Sequence, residues 1–143
     1  MLYANIHKAF PGITVDVSFE FGRGILVLFG PSGSGKSTIL SCIAGLQHPD
    51  IGDISLNGKT FYSSSEGIAI PARSRRIGYV FQDYALFPHM TVKNNIMYGI
   101  PERCKRGKGY RLGALDIMRM LKIDHLQTRY PCQLSGGEKQ RVA

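Results

Sequence analysis

The sequence predicts an α/β fold in which a glycine-rich loop joins an apolar strand to a helix. Three segments carry the prediction: alternating apolar residues at 13–21, an unbroken apolar run at 25–29, and a helical segment at 36–44. Alternation with a period of two is typical of a half-buried strand. A run with no polar residue is typical of a strand that is covered on both faces.

The composition is that of a globular chain of about one domain. The chain has 143 residues, of which 43% are apolar and 20% charged, and both fractions are ordinary for such a chain. Its longest apolar run, Ile25–Phe29, is far shorter than the roughly 20 residues that cross a bilayer. The first ten residues lack the pattern of a secretory leader. We therefore expect neither a membrane span nor a signal peptide.

The net charge of +8 is concentrated in two groups of basic residues. The first group comprises Arg73, Arg75 and Arg76, and the second comprises Arg103, Lys105, Arg106, Lys108 and Arg111. Such runs usually form solvated loops, although nucleic acid, anionic lipid or phosphate ligands are alternatives. Aromatic residues do not alternate with these charges in the way that base stacking favours, and Tyr110 stands alone among them, so we expect no nucleic-acid partner.

The three cysteines predict neither a disulfide framework nor a zinc site. Cys42, Cys104 and Cys132 are odd in number, widely spaced and free of any C-x-x-C pair. This usage is natural in a reducing compartment and predicts a cytoplasmic location.

Local signals predict the remaining elements. Gly45 is placed to end the helix at 36–44, Asn57-Gly58 predicts a hairpin over 54–62, and 77–81 is predicted to form a strand. Residues 82–90 are predicted to form a loop, and Thr91 is predicted to cap a short helix ending at Tyr98. Four apolar residues share one face of a later predicted helix: Leu112, Leu115, Met118 and Leu121. A helix is also predicted to start at Ser135.

The sharpest motif in the chain matches the phosphate-binding pattern G-x-x-x-x-G-K-S/T. It comprises Gly30, Pro31, Ser32, Gly33, Ser34, Gly35, Lys36, Ser37 and Thr38, a segment we call the phosphate loop. Glycines let successive backbone N–H groups turn towards an anion, and the following helix directs its positive end at the phosphates. The motif lies between a predicted strand and a predicted helix, which is the context it requires.

A second motif, the signature segment, covers Leu134–Arg141. Ser135 and Glu138 have the spacing of a capping box, so the segment could be no more than a well-capped helix start. Gly136 and Gly137 disfavour a helix, and they are understandable if the backbone must approach a ligand closely.

Together these motifs resemble the ATPases of ABC transporters. The phosphate loop resembles Walker A, the signature segment resembles the LSGGQ-type motif, and Val80-Phe81-Gln82-Asp83 between them resembles the Q-loop. The resemblance covers the whole chain and is greatest to the ATPase subunits of molybdate importers. It implies a P-loop NTPase core with an N-terminal antiparallel β portion and a helical subdomain. The implied division is 1–90 for the core, 91–134 for the helical subdomain and 135–143 for the start of the signature helix.

The resemblance also implies roles for individual residues and for partners. ATP phosphates would lie in the phosphate loop, with Mg²⁺ on Ser37 and Gln82. Gln82 would also be the catalytic residue, because it would reach the attacking water. Phe10 would stack on adenine, or it is a core residue. The signature residues would bind ATP held by a second copy of the chain: Ser135, Gly136, Gly137 and Glu138. Residues 84–89 would face a membrane permease, or they form an ordinary loop. The implied location is peripheral, on the cytoplasmic face of the inner membrane, with a solute-binding protein involved only indirectly.

The chain departs from the family pattern after the signature segment. The family would next supply an apolar strand ending in Asp and Glu, and later a switch His, and neither follows Ala143. We therefore expect a C-terminally incomplete domain with weak or no ATP hydrolysis. Alternatives are a non-catalytic nucleotide-binding module, an ABC ATPase for another small solute, one acting on DNA or ribosomes through 103–111, or a small-metabolite kinase.

Overall fold

A computed structural model of the chain describes residues 1–100 and 113–143. The chain divides into two units, Met1–Tyr79 and Val80–Ala143. The second basic group and Leu112, which the sequence analysis singled out, lie outside the described residues. The division into 1–90, 91–134 and 135–143 stays a prediction.

The first unit is built on a five-stranded antiparallel sheet with the strand order β2-β1-β3-β4-β5. The strands are β1 (Leu2–Phe10), β2 (Ile13–Phe21), β3 (Ile51–Leu56), β4 (Lys59–Ser63) and β5 (Ile68–Ala69). This is the antiparallel β portion that the sequence predicts near its N-terminus. The strand β1, which no motif indicated, is an inner strand of this sheet and pairs with both β2 and β3.

The predicted hairpin and the alternating strand are confirmed. Asn57 and Gly58 connect β3 to β4 with φ values of 52° and 77°, the left-handed pair that tight hairpin turns require. Along β2 the odd-numbered residues are the less exposed ones from Val15 onwards. The hydrophobic pattern of the strand therefore determines which face covers the core.

The first helix, α1 (Lys36–Ala44), lies against this sheet with its apolar residues in the unit's core. The core comprises Ala4, Ile6, Val15, Ile39, Cys42, Ile54 and Phe61. Gly45 ends α1 in the left-handed conformation, as predicted, with its N–H donating to the carbonyl of Cys42. A short helix, α2 (Ala72–Arg75), completes the unit.

The two predicted strands at 25–29 and 77–81 do not form strands. Ile25, Val27 and Phe29 are 91%, 75% and 100% exposed, and only Leu28 packs against the core. Within residues 1–100 and 113–143 no strand pairs with either segment. A strand that is apolar at every position, as 25–29 would be, needs a paired strand beside it and cover on both faces. The described residues pair no strand with 25–29 and leave most of its side chains exposed.

The second unit is helical. It contains α3 (Val92–Tyr98), α4 (Ala114–Met120), α5 (Gly136–Val142) and two short 3₁₀ helices, Asp124–Leu126 and Pro131–Gln133. Their buried residues form a separate core of Val92, Met118, Ile123, Leu126, Leu134 and Val142. The apolar face predicted around α4 is only partly buried, because Met118 is enclosed while Leu115 and Leu121 are 46% and 41% exposed. The helices of the described part are all too short or too polar to cross a membrane.

Candidate functional site

The ammonium group of Lys36 is held by the phosphate loop itself. Its Nζ donates to the carbonyls of Gly30 and Pro31 over 2.9 and 2.6 Å, and it lies 3.3 Å from Ser34 Oγ. The loop is closed by a further hydrogen bond from Ser34 N to the Pro31 carbonyl. The lysine is thus folded back across the loop, with its charge beside the residues that begin the motif.

Two glycines of the phosphate loop adopt a backbone conformation that other residues rarely adopt. Gly33 and Gly35 have φ values of 82° and 87°, in the left-handed region where a Cβ is strained. At Gly35 an added Cβ would also lie 2.3 Å from a methyl of Val15 on β2, whereas at Gly33 it would meet nothing within 4 Å. Gly35 therefore allows the start of α1 to lie directly on the sheet.

The first turn of α1 keeps its N–H groups available. Gly35 occupies the N-cap position without a side-chain cap, and the first turn carries no acidic residue. Such a helix start is a ready site for an anion, since the unpaired N–H groups and the helix dipole both favour negative charge. Ser37, the predicted metal ligand, is exposed in this turn, and its hydroxyl makes no hydrogen bond to the described residues.

The other end of α1 is fixed by Arg75, whose role the sequence analysis missed. Only 3% of Arg75 is exposed, so the expectation of a solvated Arg73–Arg76 loop was wrong at this residue. Its guanidinium donates to the carbonyls of Cys42 and Ile43 on α1, each at 2.8 Å, and of Ile70 at 2.8 Å and Phe61 at 3.4 Å. Burial lowers the pKa of Arg75. The acceptors are all backbone carbonyls, so no pattern of side chains in the sequence predicts that Arg75 binds them.

Phe10, the predicted adenine-stacking residue, lies at the end of β1 and is 37% exposed. It is thus not a core residue, which was the alternative. The ammonium of Lys8 lies 5.5 Å from its ring centroid and also donates to the His48 carbonyl and to Asp50. The stacking role of Phe10 stays a prediction.

Gln82 lies in the second unit, at the start of a loop with unusual backbone geometry. The loop begins with a turn in which Tyr84 N donates to the Phe81 carbonyl, and Tyr84 and Ala85 have φ values of 65° and 46°. Positive φ in residues other than glycine is strained and concentrates at functional sites. The side chain of Gln82 is exposed and accessible to a ligand.

The rest of this loop is held by Asn95, a second residue that the sequence analysis missed. Asn95 lies on α3, where its Oδ1 accepts from Phe87 N at 2.8 Å. Its Nδ2 donates to the carbonyls of Phe87, Met90 and Thr91 at 3.2, 3.1 and 3.0 Å. One amide side chain therefore fixes residues 87–91 to the helix that follows them. Thr91 caps that helix, as predicted, by accepting from Asn94 N.

The signature segment forms the predicted capping box at the start of α5. Ser135 Oγ accepts from Glu138 N at 3.3 Å, while the Glu138 carboxylate accepts from Ser135 N at 2.7 Å and from Ser135 Oγ at 2.8 Å. These bonds, above all the one from the backbone N–H of Ser135, hold the pKa of Glu138 below its ordinary value. The carboxylate is thus occupied within its own turn.

The capping box does not account for the two glycines beside it. A Cβ added at Gly136 would meet nothing within 4 Å, and one at Gly137 would lie an ordinary 3.7 Å from Arg141 Nη1. Neither glycine has a positive φ. Since alanine would fit and would favour the helix, packing within the described residues gives no reason for glycine at either position.

Comparisons with known proteins agree with the three motifs. The family model described as "ABC transporter" matches residues 14–143. The chain is 47% identical over its whole length to a "Molybdenum import ATP-binding protein ModC" from Pasteurella multocida, and 45% identical to a protein of that name from Mannheimia succiniciproducens. In both comparisons the chain spans 39% of the length of the relative.

Solved structures support the same fold. The dimeric structure of MJ0796, a bacterial ABC transporter cassette, matches with a TM-score of 0.74 at 27% identity, over 99% of this chain and 66% of that one. A post-hydrolysis state of the same cassette, bound to ADP and Pi, matches with a TM-score of 0.71 at 26% identity and with the same coverage. With the family match over residues 14–143 and the identity to curated relatives, the chain belongs to the ABC transporter family.

Proposed function

We propose that this chain binds Mg-ATP through its phosphate loop and is part of the ATPase subunit of an ABC importer. The observation that carries the proposal is the phosphate loop, in which Lys36, glycine backbone and an uncapped helix start converge. A solved cassette that matches the chain is described as bound to ADP and Pi. Nucleotide binding is therefore the chemistry that these residues support best.

The residues present fit a nucleotide with its metal ion. Lys36 and the N–H groups of the loop would hold the phosphates, and the hydroxyl of Ser37 would hold Mg²⁺. Gln82 stays a predicted ligand of this ion. Bound Mg²⁺ would neutralise developing charge on the phosphates. Phe10 would stack on the adenine base, which its exposure allows.

We further propose that the complete protein imports molybdate or a similar oxyanion. The support is the name of the curated relatives, together with 47% and 45% identity across the chain. The complete protein would couple ATP hydrolysis to transport and lie on the cytoplasmic face of the membrane. The loop at 84–89 would contact the permease, and the hydrogen bonds of Asn95 would keep its second half in place.

The signature segment would complete the site of a second copy. The support is that two matching cassette structures are described as dimeric, and that Gly136 and Gly137 have no packing role among the described residues. Bare backbone at these positions would let ATP held by the other copy approach closely. We also retain the division into a core at 1–90, a helical subdomain at 91–134 and a signature helix from 135.

The first test is the replacement of Lys36 by alanine. Loss of a charge-assisted contact costs about 1.5–3 kcal/mol, so we expect Mg-ATP to bind about 10- to 100-fold more weakly by isothermal titration calorimetry. Lys93→Ala, which removes an exposed lysine outside the site, is the matched control and should bind as the parent does. Equal affinity in the Lys36 and Lys93 variants would contradict the proposal.

The second test separates the signature role from helix capping. Gly136→Ala should leave the free energy of unfolding unchanged or raise it by up to about 0.5–1 kcal/mol, because alanine favours a helix. The same change should weaken ATP-dependent dimerisation, measured by analytical ultracentrifugation. Gly99→Ala is the control, since a Cβ there also meets nothing within 4 Å. Unaltered ATP-dependent dimerisation in the Gly136 variant would argue for capping alone.

A further inference from the structure

The first unit contains a cavity that belongs to none of the three motifs. It has a volume of about 750 Å³ and lies between the β3–β4 hairpin and α2. Its lining comprises Leu56, Asn57, Lys59, Phe61, Arg73, Ser74, Arg75 and Arg76. Four of these eight residues are cations, and none is acidic. It is a depression that opens widely to solvent, not an enclosed space.

The cations of this cavity lack acidic partners. Among the described residues, Lys59, Arg73 and Arg76 are exposed and make neither an ion pair nor a side-chain hydrogen bond. The carboxylates that do pair in this unit, Asp16 with His7 and Asp50 with Lys8, lie elsewhere. Like charges gathered on one small surface repel one another, and an anion bound among them would relieve that repulsion.

The cavity is bordered by backbone that is firmly held. Arg75 is fixed to carbonyls of α1, β4 and Ile70, with its guanidinium 5.4 Å from the Phe61 ring centroid. Arg76 follows in the left-handed conformation, with φ 55° and ψ 41°, which is a costly backbone for a residue with a Cβ. The buried arginine thus anchors the segment that carries the two exposed ones.

We propose that this cavity binds a small phosphate-bearing anion of more than one negative charge. The planar guanidinium groups of Arg73 and Arg76 present paired N–H donors that match phosphate oxygens. Lys59 adds a third charge and Ser74 a hydroxyl donor. The only aromatic lining residue, Phe61, is 3% exposed, so bases of a nucleic acid would find no stacking surface.

One titration gives both the location of the bound anion and its affinity. Inorganic pyrophosphate is titrated into the isotope-labelled chain, and the amide NMR shifts of residues 57–61 and 73–76 are followed separately from those of the phosphate loop. We expect the cavity amides to shift, and Arg73→Gln with Arg76→Gln to weaken their apparent affinity by about tenfold or more. The phosphate-loop amides should keep the affinity of the parent.

The control removes the same charge from the other unit. Lys93→Gln with Arg119→Gln also deletes two cations, and it should leave the cavity affinity unchanged. Equal weakening in both double variants, or the absence of shifts at the cavity amides, would overturn the proposal. Because the readout is local, failure here leaves the Lys36 test of nucleotide binding unaffected.

A second arm distinguishes the source of the phosphate. Sedimentation with vesicles of phosphatidylcholine and phosphatidylglycerol tests an anionic lipid headgroup. If the Arg73/Arg76 variant loses sedimentation and the Lys93/Arg119 control keeps it, the site takes headgroup phosphate. If both sediment equally while pyrophosphate binding still differs between them, the site takes a soluble phosphate compound.

Discussion

Replacing Gly35 with alanine is expected to lower the free energy of unfolding by about 2–5 kcal/mol and to weaken nucleotide binding. Two costs add at this position. The φ of 87° costs a residue with a Cβ about 1–2 kcal/mol, and the new methyl would lie 2.3 Å from Val15. Val15 is 3% exposed within the core, so overpacking there adds about 1–3 kcal/mol.

The neighbouring glycine separates the two costs. Gly33→Ala has a similar backbone, with φ 82°, and no atom within 4 Å of its Cβ, so it should lose only the backbone contribution. Urea denaturation measures both variants. The double variant Gly35→Ala with Val15→Ala should lose less stability than the sum of the losses measured for the two single variants. The reason is that Val15→Ala removes the methyl that clashes with the new Cβ at position 35. Equal destabilisation by the two glycine variants would show that the contact with Val15 adds no steric cost at Gly35.

The replacement of Arg75 by methionine is expected to lower the free energy of unfolding by a similar amount, about 2–4 kcal/mol. Methionine fills part of the space but leaves the carbonyls of Ile43 and Ile70 without the bonds they now accept at 2.8 Å. The carbonyls of Cys42 and Phe61 would each keep a backbone donor, from Gly45 and Ile70. The loss is therefore smaller than four broken hydrogen bonds would suggest.

Two companions make the Arg75 measurement specific. Arg73→Met removes an exposed arginine from the same helix and should change stability by less than about 0.5 kcal/mol. Arg75→Lys keeps the charge but lacks the planar fork, so it should fall between the parent and Arg75→Met. If Arg75→Met proved as stable as Arg73→Met, the hydrogen bonds from Arg75 to α1 would contribute nothing to the free energy of unfolding.

Signals that act over a few residues allowed parts of the fold to be predicted correctly. Lys36–Ala44 with its Gly45 cap, the Asn57-Gly58 turn and the Ser135 capping box are confirmed. Each depends on φ preferences or on hydrogen bonds within one turn. The composition of the phosphate loop and of the signature segment likewise sufficed to indicate the family, which the match over residues 14–143 confirms.

Predictions that depended on distant partners were less successful. The run at 25–29 has the composition of a buried strand, but the described residues offer it no strand to pair with. Conversely β1, which mixes polar and apolar residues, forms an inner strand of the sheet because β2 and β3 pair with it on its two sides. Strand formation requires hydrogen-bond partners that lie far away in the sequence.

The sequence by itself determined the phosphate loop, the caps and turns beside it, and the family to which the chain belongs. Only the tertiary structure decided that Gly35 must accommodate Val15, that Arg75 is buried against the end of α1, and that Asn95 holds residues 87–91. The physical reason is that these contacts are made with backbone carbonyls or with side chains that lie far away in the sequence. A backbone carbonyl is the same in every residue, so a side chain that binds one carries no sequence pattern until folding brings the two together.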